Sequence, residues 1–160
     1  MFLNENEFSN LIQNAPLISV DICILKNNYI LIGKRKNNPA KDFYFVPGGR
    51  IRKNECIDAA VDRLLVNEIG YQFKNNKNKL KKSLGYYEHF YDDNFQDNSK
   101  FSTHYVVLPF IIQFEDIKKT KIVDSKKDQH SNYVWFEFKR DNLNNLKIHQ
   151  YTSAYFEKFN

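Results

Sequence analysis

Residues 49–70 constrain this chain more than any other stretch. They carry Gly49, Glu55 and Arg63 in the spacing Gly-x5-Glu-x7-Arg, end Glu68-Ile69-Gly70, and follow Phe45-Val46-Pro47-Gly48. A short apolar run, a Pro-Gly-Gly turn, a polar loop and a helical period make a strand–loop–helix unit. Glycines in such a turn admit backbone conformations closed to other residues and let the chain approach a ligand closely. Ile57, Ala60, Val61, Leu64, Leu65 and Ile69 recur near helical spacing. A helix is therefore expected over 56–69, with Asn54 as its N-cap and Gly70 as its stop.

A chain of 160 residues can bury a core as one domain, and a single domain over 1–160 is expected. Aromatic residues make up 16%, and Gly48-Gly49 is the only Gly-Gly pair, which excludes disordered and repeat architectures. The net charge of +5 suits an anionic ligand without identifying one. The Lys/Asn cluster over 74–82 reads as solvated loop or strand edge in preference to a polyanion site. Cys23 on a strand and Cys56 at a helix start fit reduced structural thiols better than a disulfide or a metal pair. Together with a Met1-Phe2-Leu3-Asn4-Glu5 start that lacks a signal-peptide pattern, they point to the cytoplasm. No apolar run approaches the roughly 20 residues of a membrane span.

Residues 4–14 read as a short helix with Phe8, Leu11 and Ile12 on one face, ended by Pro16. Residues 17–25 and 29–35 read as a hairpin of buried strands about the turn at 26–28. A short strand is expected at 43–46, two long strands at 80–91 and 103–114, and another at 133–138. Residues 149–159 place Tyr151, Ala154, Tyr155 and Lys158 near one face of a closing helix. This order predicts a mixed sheet between helices, an α/β/α sandwich.

Several polar residues carry candidate chemistry. On the expected helix, Leu64 and Glu68 stand four apart, beside a stripe of Arg63 and Asn67. One carboxylate binds one magnesium ion when other oxygens and substrate phosphates complete the shell, and the Gly48 carbonyl is such an oxygen. Alone, Glu68 reads as a surface carboxylate; the Gly-Gly turn and the spaced Glu55 and Arg63 favour a metal ligand. Glu55 and Arg63 themselves read as a clamp between loop and helix. Asp128-Gln129-His130 is expected in a loop before the 133–138 strand. Gln129 offers a neutral metal oxygen, and His130, with an ordinary pKa of about 6.5, suits general-base work. Both roles require that loop to fold over the helix. Arg35 and Arg50 flank the Gly-Gly segment and suit phosphate, because planar guanidinium donors bind two oxygens and keep their charge. Asp21, mid-strand among apolar residues, needs a partner, either an arginine or a sugar hydroxyl. His89, Tyr91 and Tyr105 read by themselves as strand aromatics of the core or sheet surface.

These residues together resemble the GDP-mannose mannosyl hydrolase branch of the Nudix superfamily. The resemblance runs nearly end to end. It is carried by Met1-Phe2-Leu3, Gly33-Lys34-Arg35, Phe45-Val46-Pro47-Gly48-Gly49-Arg50, His89-Phe90-Tyr91-Asp92-Asp93-Asn94, Thr103-His104-Tyr105-Val106-Val107-Leu108 and Asp128-Gln129-His130. The general Nudix box continues Arg-Glu-x-x-Glu-Glu-x-Gly, where this chain has Arg63-Leu64-Leu65-Val66-Asn67-Glu68-Ile69-Gly70. Leu64 and Asn67 thus replace carboxylates. The resemblance implies a Nudix-type sandwich and a homodimer that acts on a GDP-sugar, with no nucleic-acid or membrane partner. It implies Mg2+ held on the diphosphate by the Gly48 carbonyl, Glu68 and Gln129, with His130 as general base. It further implies that Arg35, Arg50 and Tyr105 stabilise the departing GDP and that Asp21 and His89 position the sugar. Arg63 would orient Glu68, and the amino-terminal segment and the Tyr91 region would help form the nucleotide site. The Asn/Asp/Lys-rich stretch at 95–101 departs from the branch and leaves the sugar and base preference open.

Most Nudix enzymes attack phosphorus; this branch directs water at the anomeric carbon and releases GDP and a sugar of inverted configuration. Charge then moves onto the leaving diphosphate, so cationic groups can replace a protein acid and one base for water suffices. Two other readings stand beside it. One is an ordinary Nudix pyrophosphatase giving GMP and sugar 1-phosphate. The other is a non-catalytic nucleotide-sugar or RNA sensor, which would have no use for Glu68, Gln129 and His130.

Overall fold

The computed structural model describes residues 3–70, 80–96, 100–113, 130–138 and 146–159. Helix α1 spans Glu5–Asn14. Asn4 caps it reciprocally: its side chain accepts from the Glu7 amide at 3.0 Å, and the Glu7 carboxylate accepts from the Asn4 amide at 2.9 Å. Strand β1 (Leu17–Lys26) is the spine of a mixed sheet. It runs parallel to β7 (Thr103–Gln113), from Leu17 opposite Tyr105 to Leu25 opposite Gln113. On its other edge it meets β4 (Gly48–Arg50) near its start and β2 (Tyr29–Arg35) at its end, both antiparallel. Strands β3 (Tyr44–Phe45) and β8 (His130–Glu137) pair with β2, and β5 (Leu80–Ser83) and β6 (Tyr87–Tyr91) pair with β7.

Alternation along β1 sorts the core into two layers. Val20, Ile22 and Ile24 face α2 (Ile57–Leu64) and its continuation, packing with Ala60, Val61, Leu64, Leu65 and Ile69. Cys23 and Leu25 face the other way and pack with Tyr155 and Phe156 of the C-terminal segment. An eight-residue helix is marginal in water by itself, so its buried face holds α2 in place. The sheet lies between α2 and the C-terminal segment, which contains α3 (Gln150–Ser153) and a 3-10 turn at Phe156–Lys158. This is the expected α/β/α arrangement.

Several local expectations are corrected. The helix is capped by Cys56, without a side-chain bond, and Asn54 instead takes a left-handed φ of 64°. The helical period does not continue as α-helix to residue 69: Leu65–Ile69 widens into a π turn, closed by Gly70 at φ 109°. The stretch at 80–91 is two strands, parted where Gly85 adopts φ 89°. Gly48 and Gly49 are strand residues, and neither has positive φ. His130 opens β8 opposite Arg35 and is not in a preceding loop. The C-terminal segment forms four helical residues and a separate turn, not one helix. Asp128, Gln129 and most of the 74–82 cluster lie outside the described residues. Among the described residues no helix is long and apolar enough to cross a membrane.

Candidate active site

The odd-numbered face of β1 opens into a cleft of about 560 Å³, part of it continuous with solvent. Asp21, Arg35, Gly48, Arg50, His89, Tyr91 and Tyr105 line it. Five strands bring these residues together: β1 supplies Asp21, β4 Gly48 and Arg50, β6 His89 and Tyr91, β7 Tyr105, and β2 Arg35. Arg35 ends β2.

Close approach explains the two glycines. A Cβ on Gly48 would stand 2.5 Å from Asp21 Oδ1 and 2.7 Å from the Val20 carbonyl oxygen. One on Gly49 would stand 2.7 Å from Leu64 Cδ2. The glycines therefore let β4 pass between the cleft and α2. Leu64 is 3% exposed, so the position at which the general box has a carboxylate serves packing here.

Asp21 faces both a hydroxyl and a cation. Tyr155 donates to Asp21 Oδ2 at 2.8 Å. Burial dominates its ionisation and raises its pKa to about 6, against the lowering effects of the Tyr155 bond and the Arg35 charge. The Tyr155 oxygen also lies 3.3 Å from His89 Nε2. His89 stacks on Tyr151 at 4.0 Å with planes 3° apart. Burial, then the neighbouring His149, lowers the His89 pKa to about 3, so the ring is neutral at pH 7. Burial also raises Tyr91 and Tyr105, which keep their protons and remain donors.

The arginines rest on aromatic faces. The Arg50 guanidinium carbon is 3.9 Å from the Phe8 ring centre, and Arg35 lies 5.4 Å from that of Phe45. Phe45 is also stacked on His149 at 4.6 Å. Burial, and secondarily Arg35, lowers the His149 pKa to about 4. Such contacts position a guanidinium without neutralising it.

Glu68 does not line the cleft. It sits in the π turn and accepts from the Tyr133 hydroxyl at 3.0 Å. Arg63 donates to both Glu55 oxygens, at 2.6 and 2.7 Å, and to the Arg50 carbonyl at 2.9 Å. Among the described residues no three His, Cys, Asp or Glu side chains converge on a metal position. Carboxylate and carbonyl oxygens are the donors a hard cation takes. The Pro47 carbonyl accepts from the Ile22 amide, so ladder alternation turns the Gly48 carbonyl away from β1.

Sequence reasoning missed Tyr151, Tyr155 and His149 as site residues. They are remote in sequence from the cleft residues they touch: Tyr155 and Asp21 are 134 positions apart. The aromatic face of the closing segment was a packing signal and carried no sign of the cleft.

Residues 15–154 match the family described as NUDIX domain. The chain is similar to the low-salt glycan biosynthesis protein Agl8 of Haloferax volcanii, 34% identical over 70% of this chain and 68% of that protein. It is also similar to an ADP-ribose pyrophosphatase of Methanocaldococcus jannaschii, 40% identical over 45% of this chain and 40% of the relative. A MutT NUDIX hydrolase from Burkholderia pseudomallei shares the fold, with a TM-score of 0.69 over 92% of this chain and 100% of that one, at 19% identity.

Proposed function

The chain belongs to the NUDIX domain family and is a hydrolase of it, and from that premise we propose that it hydrolyses GDP-mannose or a related GDP-hexose at the anomeric carbon. GDP leaves and the sugar is released with inversion. One observation carries this reading: position 64 is a buried leucine packed on Gly49, which leaves Glu68 as the box's carboxylate at the metal-binding end. A site so reduced suits help to a leaving diphosphate better than attack on phosphorus. The glycan-related name of the Haloferax relative is consistent with a sugar substrate.

His130 takes a proton from the attacking water. Arg35, Arg50 and Tyr105 bind the diphosphate and gain strength as charge develops on it. Asp21 and His89 accept hydroxyls of the sugar, and Tyr91 packs beside the nucleotide. Arg63 acts through the loop, tying α2 to Glu55 and to the Arg50 carbonyl. Nudix hydrolases generally use a divalent cation; we take it as Mg2+, with the Gly48 carbonyl, Glu68 and Gln129 as its protein ligands. When bound, it supplies positive charge against the diphosphate. The resemblance extends the proposal to a cytoplasmic, single-domain homodimer.

The name of the Methanocaldococcus relative favours the second reading, a pyrophosphatase. Incubation with GDP-mannose, ADP-ribose and other nucleotide sugars plus Mg2+, followed by ion-exchange separation, distinguishes the two. GDP with free mannose supports the proposal; GMP with mannose 1-phosphate, or turnover of ADP-ribose alone, rejects it.

A further inference from the structure

The Tyr155 hydroxyl touches two residues of the cleft at once, and nothing in the reaction itself explains it. Tyr155 is 0% exposed and belongs to the C-terminal segment, not to the strands that build the cleft. Its oxygen is 2.8 Å from Asp21 Oδ2 and 3.3 Å from His89 Nε2. The Tyr87 ring meets the Tyr155 ring edge-on at 4.9 Å, and the parallel stack with Tyr151 holds the His89 ring.

We infer that Tyr155 is a positioning residue: by donating to Asp21 and accepting from His89, it fixes one carboxylate rotamer and one imidazole tautomer, so that the cleft presents acceptors to a ligand's hydroxyl groups. A phenol has one proton and can accept in return. With Asp21 ionised, that proton goes to the carboxylate. The hydroxyl can then only accept from His89, which requires the proton on Nε2. Nδ1 becomes the acceptor of a ring that lines the cleft. Asp21 Oδ1, which faces Gly48, is left outside the Tyr155 bond. The two acceptors that Asp21 and His89 present match a hydroxyl-rich ring such as a hexose, and do not match a group rich in acceptors such as phosphate. The arginines at the cleft are left for the anionic part. This specificity rests on the proposed GDP-sugar reading; the tautomer does not.

The test is nitrogen-15 NMR of the histidine rings in mildly alkaline buffer, with steady-state kinetics on GDP-mannose. Wild-type His89 is expected as the Nε2–H tautomer. Tyr155→Phe should keep its fold by circular dichroism, lose that single tautomer, and fall in kcat/KM by roughly tenfold to a hundredfold, the range of one hydrogen bond to a charged group. Tyr151→Phe removes a hydroxyl of the same segment that bonds the Phe90 backbone, and should keep the wild-type tautomer. A wild-type Nδ1–H tautomer overturns the inference. So does a Tyr155→Phe protein with unchanged tautomer or unchanged kcat/KM. Wild-type protein inert toward every GDP-sugar overturns the substrate reading, and the ring-nitrogen measurement alone then decides the role of Tyr155.

Discussion

Arg63 grips Glu55 with two hydrogen bonds, Nε to Oε1 at 2.6 Å and Nη2 to Oε2 at 2.7 Å. Both side chains are largely buried, 19% and 13% exposed. Glu55 Oε2 also accepts from the Arg52 amide at 2.9 Å, so the pair locks the loop between β4 and α2. Arg63→Lys keeps the charge but loses the planar fork and the reach to the Arg50 carbonyl. We expect a loss of about 2 kcal/mol in urea denaturation, the scale of hydrogen bonds to charged groups. A loss below about 0.5 kcal/mol, the level of an ordinary surface substitution, would show the clamp to be incidental.

Acid should destabilise the fold in two stages. His89 and His149 have folded pKa values of about 3 and about 4, below the ordinary histidine value. The unfolded chain therefore binds more protons below about pH 6.5, and stability falls as pH drops through that window. Asp21, raised to about 6, takes up a proton in the folded state and offsets part of this loss. Glu55, lowered to about 2 by Arg63, adds a second loss between the ordinary glutamate pKa of about 4.3 and that value. Denaturation midpoints across pH check this. His89→Asn and His149→Asn should together flatten the first stage, with the larger share from His89, which is the more buried, since half-buried His149 is partly screened by solvent.

The two glycines should differ in tolerance. Gly48→Ala drives a methyl into the Val20 carbonyl and Asp21, and backbone cannot step aside. We expect a destabilisation of about 1–3 kcal/mol with turnover abolished. Gly49→Ala meets only the far end of Leu64, which can turn away, so its cost should be smaller. Equal costs by thermal denaturation would contradict the close passage of β4 against β1.

Glu68→Gln should remove most Mg2+-dependent activity, since Leu64 and Asn67 stand where the general box has further carboxylates. Tyr133→Phe should have a milder effect, because it loses one hydrogen bond to Glu68 and no ligand. Magnesium titrations of activity separate the two; full activity of Glu68→Gln at ordinary magnesium concentrations would remove Glu68 from the ligand set.

His130→Ala should lower kcat by roughly 10²- to 10⁴-fold with little change in KM, because a general base acts mainly in the transition state. An unchanged kcat would exclude His130 as the base.

Local pattern made part of this protein legible. Branched apolar runs marked β1 and β2, the helical period marked α2, and Gly70 marked its end. Asp21 stood out because a carboxylate inside such a run needs a partner. The identity of that partner was not legible, since Tyr155 is brought to it only by tertiary packing. His89, Tyr91 and Tyr105 have the pattern of ordinary strand aromatics. What makes them cleft residues is the pairing of β6 with β7, which sets His89 opposite Tyr105. The π turn was hidden for a related reason: Leu65 and Ile69 satisfy a helical period whether or not the turn widens.

Which atom water attacks decides between the two readings of this hydrolase. Hydrolysis of GDP-mannose in heavy-oxygen water, read by mass spectrometry, measures this directly. The label should appear in free mannose and be absent from GDP, and proton NMR before mutarotation should show the β-sugar released from an α-linked substrate. Label in a phosphate, with GMP and mannose 1-phosphate as products, would contradict the account and assign the chain to attack on phosphorus.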